Sequence, residues 1–111
     1  IYGLGPMLRP LLVEPPLAAI VADAAEAAGL DPAEILSHRR QLPLVRARQA
    51  VVWVARHGTD YTFTLIARHM KRDHTTILAA LKAAERLRAE DPVFRILTDR
   101  LLERARARRR M

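Results

Sequence analysis

Cysteine is absent from the 111 residues. No disulfide framework and no thiolate metal site can therefore form, and the redox compartment is left open. Aromatic residues are scarce, with one Trp, two Tyr and two Phe, while half of the chain is apolar and much of that is alanine. This balance suits packed helices better than a β-sandwich. No apolar run approaches the roughly 18 residues of a membrane span, and Asp23 and Glu26 interrupt the most apolar stretch. No basic start leads into an apolar core and cleavage site, so a secretory signal is not expected. A phosphate-binding G-x-x-x-x-G-K-[ST] loop is missing too. His69 and His74 lie five apart and off a common helical face, which argues against a metal pair. No nucleophile–base pair stands out. An enzyme is the weakest reading, and no catalytic residue, metal or cofactor is expected.

The charge is one-sided: 19 Lys and Arg against 12 Asp and Glu give a net +7, with a pI near 11.2. A polyanionic partner, most simply nucleic acid, follows. Composition alone also admits a membrane surface or simple solubility. The length fits one domain with one modest core.

Residues 1–6 read as a tag remnant, because the chain does not start with Met and Met7 offers a natural start. Pro10, Pro15 and Pro16 make residues 7–16 an extended arm. A first helix is expected from Leu17 to Ala28, with Leu17, Ile20, Val21, Ala24 and Ala28 on one face and Gly29 as its stop. Asp31-Pro32-Ala33-Glu34 has the form of a capped start, with Pro32 at the first helical position and Glu34 closing a capping box. That short helix turns Ile35 and Leu36 inward. A loop from Ser37 to Pro43 carries Arg39 and Arg40. Leu44 to His57 forms the next helix, ended by Gly58, with Val45, Val52 and Trp53 along its stripe. Asp91-Pro92 opens the last helix, whose buried side is read as Val93, Ile96, Leu97 and Leu101. The chain thus divides into residues 1–16, a helical domain over 17–104, and an arginine-rich tail over 105–111.

The stretch Arg72-Asp73-His74-Thr75-Thr76-Ile77-Leu78 organises the rest. It sets a hydrogen-bonding tip before a helix read as Arg72 to Ala89, with Ile77, Leu81 and Ala84 on its core stripe. A shorter helix, Thr62 to Met70, precedes it with Phe63, Ile66 and Met70 on one face. Two helices joined by a tight turn make a helix-turn-helix, whose second helix presents its N-terminal residues to base edges. The fold class is all-α, a compact bundle of about six helices.

Arg-Asp-His-Thr-Thr-Ile-Leu-x-Ala, preceded by a short helix, by Val45-Arg46-Ala47-Arg48-Gln49 and by Ser37-His38-Arg39-Arg40, resembles the C-terminal DNA-binding domain of the bacterial replication initiator DnaA. The similarity runs from about Leu17 to Leu102. The family usually carries a Gly-Gly pair before the Arg-Asp-His. Here only Lys71 occupies that place, so a turn one residue shorter is expected. Without the ATPase motif the chain reads as a stand-alone small protein or an excised domain, not a whole initiator. The resemblance implies binding of double-stranded DNA at a DnaA-box-like site (TTATNCACA).

Each candidate residue has a plainer reading beside the functional one. Asp73 is either the N-cap of its helix or an acceptor for a cytosine amino group. His74 is a surface histidine, or, by the resemblance, faces DNA. Thr75 offers a methyl to thymine and a hydroxyl to a base edge or phosphate, and Thr76 a hydroxyl to phosphate, unless both simply occupy a first turn. The resemblance sends Arg46 into the minor groove, where guanidinium groups favour a narrow A·T-rich path; the plain reading is a solvated arginine. Arg48, with Gln49, either holds phosphate or braces the first helices. Arg39, Arg40, Arg56, Lys71, Arg72 and Lys82 are phosphate-contact candidates. Phe63 and Thr64 stand where the family's first helix meets the backbone, although Thr64 replaces a common Pro. Trp53 is read as core. The tail is either a disordered DNA-binding arm, slightly favoured by its charge density, or a helix end suited to cations.

The first function reading is therefore a transcription or replication regulator bound to double-stranded DNA, bacterial, cytoplasmic and nucleoid-associated. It takes no membrane and no small-molecule substrate, and could engage the replication or transcription machinery. The alternative is a protein-interaction module on the same fold.

Overall fold

The computed structural model describes residues 16–109. The expected tag remnant and nearly all of the proline-rich arm lie outside them. The described residues form six helices and no strand: α1 (Leu17–Ala28), α2 (Pro32–Leu36), α3 (Leu42–Gly58), α4 (Phe63–Met70), α5 (His74–Glu90) and α6 (Pro92–Arg109). The all-α class and the helix-turn-helix are as the sequence predicts.

Local chemistry fixes most of the boundaries. α1 ends at Gly29, whose φ of 69° and ψ of 35° are left-handed, and its N–H returns to α1 carbonyls. Asp31 Oδ1 accepts from Ala33 N at 2.9 Å and starts α2 with Pro32 in the first turn. Glu34 turns its carboxylate to Arg39 at 3.3 Å, where a capping box had been expected. α3 begins at Leu42, two residues earlier than expected, because Pro43 fits a first turn, where its missing N–H is no loss. Thr62 caps α4 by accepting from Leu65 N at 3.2 Å.

α3 is the spine. It packs against all five other helices. It buries Leu44, Ala47, Ala50, Val51, Val52, Trp53, Val54 and Ala55, on nearly all sides. Near its end, a Cβ added to Gly58 would sit 3.0 Å from Leu102 Cδ1 and 3.3 Å from Ala105 Cβ. A larger residue there would push α6 away. Trp53 is core, with the Arg88 guanidinium 4.0 Å above its ring and the His57 ring tilted against it at 4.6 Å.

The buried stripe of α6 is shifted from the expected one. Phe94, Thr98, Leu101 and Ala105 face inward, while Val93 is 75% and Ile96 51% exposed. Thr98 makes the difference. Its hydroxyl reaches the Phe94 carbonyl at 2.9 Å and accepts from Arg88 Nη1 at 2.6 Å, so a nominally polar residue is satisfied inside. Nor does the domain stop at Arg104. α6 continues to Arg109, which corrects the disordered-arm expectation for residues 105–109. Ala105 is buried against the core, Arg108 binds the buried Asp23 at 2.8 Å, and Arg109 pairs with Asp60. Among the described residues no helix is long and apolar enough to cross a membrane.

Candidate nucleic-acid interface

The turn between α4 and α5 is made by three residues. Only Lys71 separates Met70, the last and fully buried residue of α4, from Arg72. Lys71 takes φ 58° and ψ 44°, the left-handed conformation for which glycine is usual, and its N–H closes back on α4. Asp73 then caps α5, so α5 starts at His74, two residues later than expected.

The cap reading of Asp73 is realised. Oδ1 accepts from Thr76 N at 2.8 Å. The backbone and hydroxyl of Thr76, and then the charge of His74, hold the Asp73 carboxyl below the usual carboxylate range. His74, Thr75 and Thr76 are all exposed in the first turn of α5. His74 Nε2 lies 3.0 Å from Thr64 Oγ1, and its ring meets Phe63 edge-on at 6.4 Å. The Arg56 guanidinium lies 5.0 Å from the centre of the same Phe63 ring. Phe63, Thr64, His74 and Arg56 are therefore one patch, contributed by α3, α4 and α5.

Arg48 and Arg72 are committed elsewhere. Arg48 Nε donates to the Ile35 carbonyl at 2.6 Å and Nη2 to those of Ser37 at 2.7 Å and Glu34 at 3.1 Å. Those carbonyls close α2. Of the two readings for Arg48, these bonds match bracing, and they occupy Nε and Nη2. Burial, then the neighbouring charge of Arg72, lowers the Arg48 pKa from the ordinary arginine value. Arg72 donates to Met70 O at 2.8 Å and to the carbonyl of Ser37. The two arginines pin the 37–41 loop, and with it the exposed Arg39 and Arg40, beside the helix-turn-helix.

Arg46 lies apart from the tip. Its Nη1 is 3.4 Å from Asp91 Oδ2, just beyond the C-terminal end of α5. Lys82 stands exposed two turns along α5.

A cleft of about 780 Å³ lies along the junction of α3 and α5, beside the loop that carries His38 and Arg40. His38, Arg40, Arg48, Arg72, Thr76 and Arg86 supply its polar lining, over a floor that includes Ala79, Ala80 and Ala83. Gln49 Oε1 lies buried without a hydrogen-bond partner. Arg86 and His38 were not among the expected residues. The signal for Arg86 was available: Thr76, Ala79, Ala83 and Arg86 fall on one helical face, with small side chains between the polar ends. Among the described residues no three His, Asp or Glu side chains group as a metal site.

Known proteins match this arrangement. The chromosomal replication initiator protein DnaA of Caulobacter sp. (strain K31) is 42% identical over 67 residues, which are 60% of this chain and 14% of that protein. The corresponding protein of Nautilia profundicola is 31% identical over 83 residues, 74% of this chain and 19% of the relative. A crystal structure described as a DNA replication initiation factor superposes with a TM-score of 0.74 at 28% identity, covering 84% of this chain and 29% of the other. The chain thus spans a small part of the length of these relatives. The family model described as the bacterial dnaA protein helix-turn-helix matches residues 17–83, more than half of the sequence, and the chain belongs to that family.

Proposed function

We propose that the protein binds double-stranded DNA at a DnaA-box-like site and acts, without an enzymatic activity of its own, as a regulator of transcription or replication. The observation that carries this reading is the exposed tip His74-Thr75-Thr76 at the start of α5. It is capped by Asp73 and rooted in the core by the buried Ile77. A recognition helix enters the major groove by such an end. Thr75, with no side-chain partner among the hydrogen bonds found, is the freest base reader, while Lys71, Arg40 and Lys82 supply exposed cations for phosphates. α5 is about 25 Å long at 1.5 Å per residue. Arg46, beyond its far end, is therefore displaced from the tip by roughly three-quarters of the ~34 Å turn of B-DNA. A separation of that size puts Arg46 at a neighbouring groove and not in the one the tip enters. Binding to chromosomal DNA implies a cytoplasmic, nucleoid-associated protein.

A second reading, a protein-interaction module on the same fold, is favoured by one observation: Val93 and Ile96 expose an apolar face on α6. A partner in the replication or transcription machinery would fit there. Fluorescence anisotropy with a TTATNCACA duplex and a shuffled duplex, each across a salt series, separates the two. DNA reading predicts preference for the first duplex and a log–log slope of about −0.9 per neutralised phosphate. Equal and weak binding to both would favour the interaction module.

A further inference from the structure

We infer that Asp91 is a positioning residue that tempers affinity for DNA, by holding Arg46 in an ion pair that entry into the minor groove must break. The inference rests on the proposed minor-groove role of Arg46. Asp91 is fixed on two sides: its N–H donates to Leu87 O at 2.7 Å, ending α5, and its Oδ1 accepts from Val93 N at 2.9 Å and Phe94 N at 3.4 Å, starting α6. The cap leaves Oδ2 free, and that oxygen is the one facing Arg46. The carboxylate is thus a stationary anion, and Arg46, on its long flexible stem, is the partner able to leave.

The pair is half-exposed, with side-chain exposures of 42% for Arg46 and 33% for Asp91. An ion pair of that kind is weak, so DNA can break it. The competition depends on sequence. A narrow A·T-rich groove has an enhanced negative potential that outbids one carboxylate, whereas an ordinary groove offers less. The cost of breaking the pair is therefore met in full by DNA that draws Arg46 into its groove, and less by DNA that leaves Arg46 on Asp91.

The test compares parent, Asp91→Asn, Asp91→Ser, Arg46→Ala and the Arg46→Ala/Asp91→Asn double variant, titrated with a TTATNCACA duplex and with a shuffled duplex. Asn and Ser both cap helices well, so α6 is retained while the charge is lost, and circular dichroism melts check this. We expect both Asp91 variants to bind the box duplex about two- to fivefold more tightly, as loss of a weak exposed pair implies. The shuffled duplex should gain less, and Asp91→Asn should change nothing in the Arg46→Ala background. An equal gain in that background reduces Asp91 to a general negative charge and overturns the inference. So does an unchanged ratio between the duplexes in folded variants. If Arg46→Ala itself binds both duplexes as the parent does, the failure lies one step earlier, in the minor-groove role of Arg46.

Discussion

Arg48, from the middle of α3, and Arg72, from the helix-turn-helix, donate to one and the same oxygen, the carbonyl of Ser37. Two cations meet on a single acceptor because that carbonyl lies past the end of α2, where no intrahelical N–H is available. Arg48→Ala removes the donor of three carbonyls and is expected to cost about 1.5–3 kcal/mol, the range for hydrogen bonds to a charged group. Arg48→Lys should recover little, since an ammonium cannot span three acceptors as the guanidinium fork does. Urea denaturation midpoints of the two variants check both statements.

Arg88 is a second partly buried cation, between Trp53 on one side and Thr98 and Asp99 on the other. Arg88→Met keeps the apolar stem and removes the charge. It should destabilise the domain by about 1–3 kcal/mol, through the lost cation–π contact and the lost hydrogen bonds to Thr98 and Asp99, and should shift the emission of the single tryptophan. An unchanged spectrum and midpoint would mean that the stem alone holds α5 against α6.

Lys71 pays for its positive φ. Lys71→Gly should relieve the left-handed strain, net of glycine's entropy, by about 0.5–1 kcal/mol. It should also weaken every duplex nearly equally and lower the salt slope by about one. A thermal melt and a salt titration on the same variant read opposite signs for stability and affinity.

Asp73 makes the start of the recognition helix sensitive to acid. Its carboxyl is held below the ordinary value by Thr76. The stability it contributes is therefore complete above the unfolded-state pKa and is lost as the pH falls through the lower folded value. Amide exchange at Thr76 should accelerate in that window in the parent, beyond its intrinsic rate. In Asp73→Asn, which keeps a capping side chain, it should not change with pH there. Parent exchange that stays pH-independent would separate the cap from the carboxyl charge.

What the sequence made legible was local. The limits of α1, the Asp31-Pro32 start and the helix-turn-helix each rest on residues within a turn of one another, and the Arg72–Thr76 run carried the family resemblance. What it hid was pairing across the fold. Nothing near Arg46 in sequence points to Asp91, 45 residues on. Arg72 read as a free cation, and Arg48 stayed open between phosphate and bracing, because α2, which they close, is spatially but not sequentially adjacent to the turn. The stripe of α6 was misread because Thr98 counts as polar until Arg88 is seen bonded to it. The tail looked unstructured because alternating arginine and alanine hides Ala105, packed beside Gly58, and the reach of Arg108 to Asp23.

The central claim, that the tip of α5 reads bases, is tested most directly by a competition titration. A labelled TTATNCACA duplex is challenged with single-base variants, for the parent and for Thr75→Ala, with Lys71→Ala as the reference for a contact that carries affinity alone. The account predicts that variants at the read positions compete more weakly with the parent, by about 1–3 kcal/mol each. Thr75→Ala should flatten that penalty at one or two positions, while Lys71→Ala lowers all affinities together and leaves the ranking intact. A parent protein for which every variant and a shuffled duplex compete equally would contradict it.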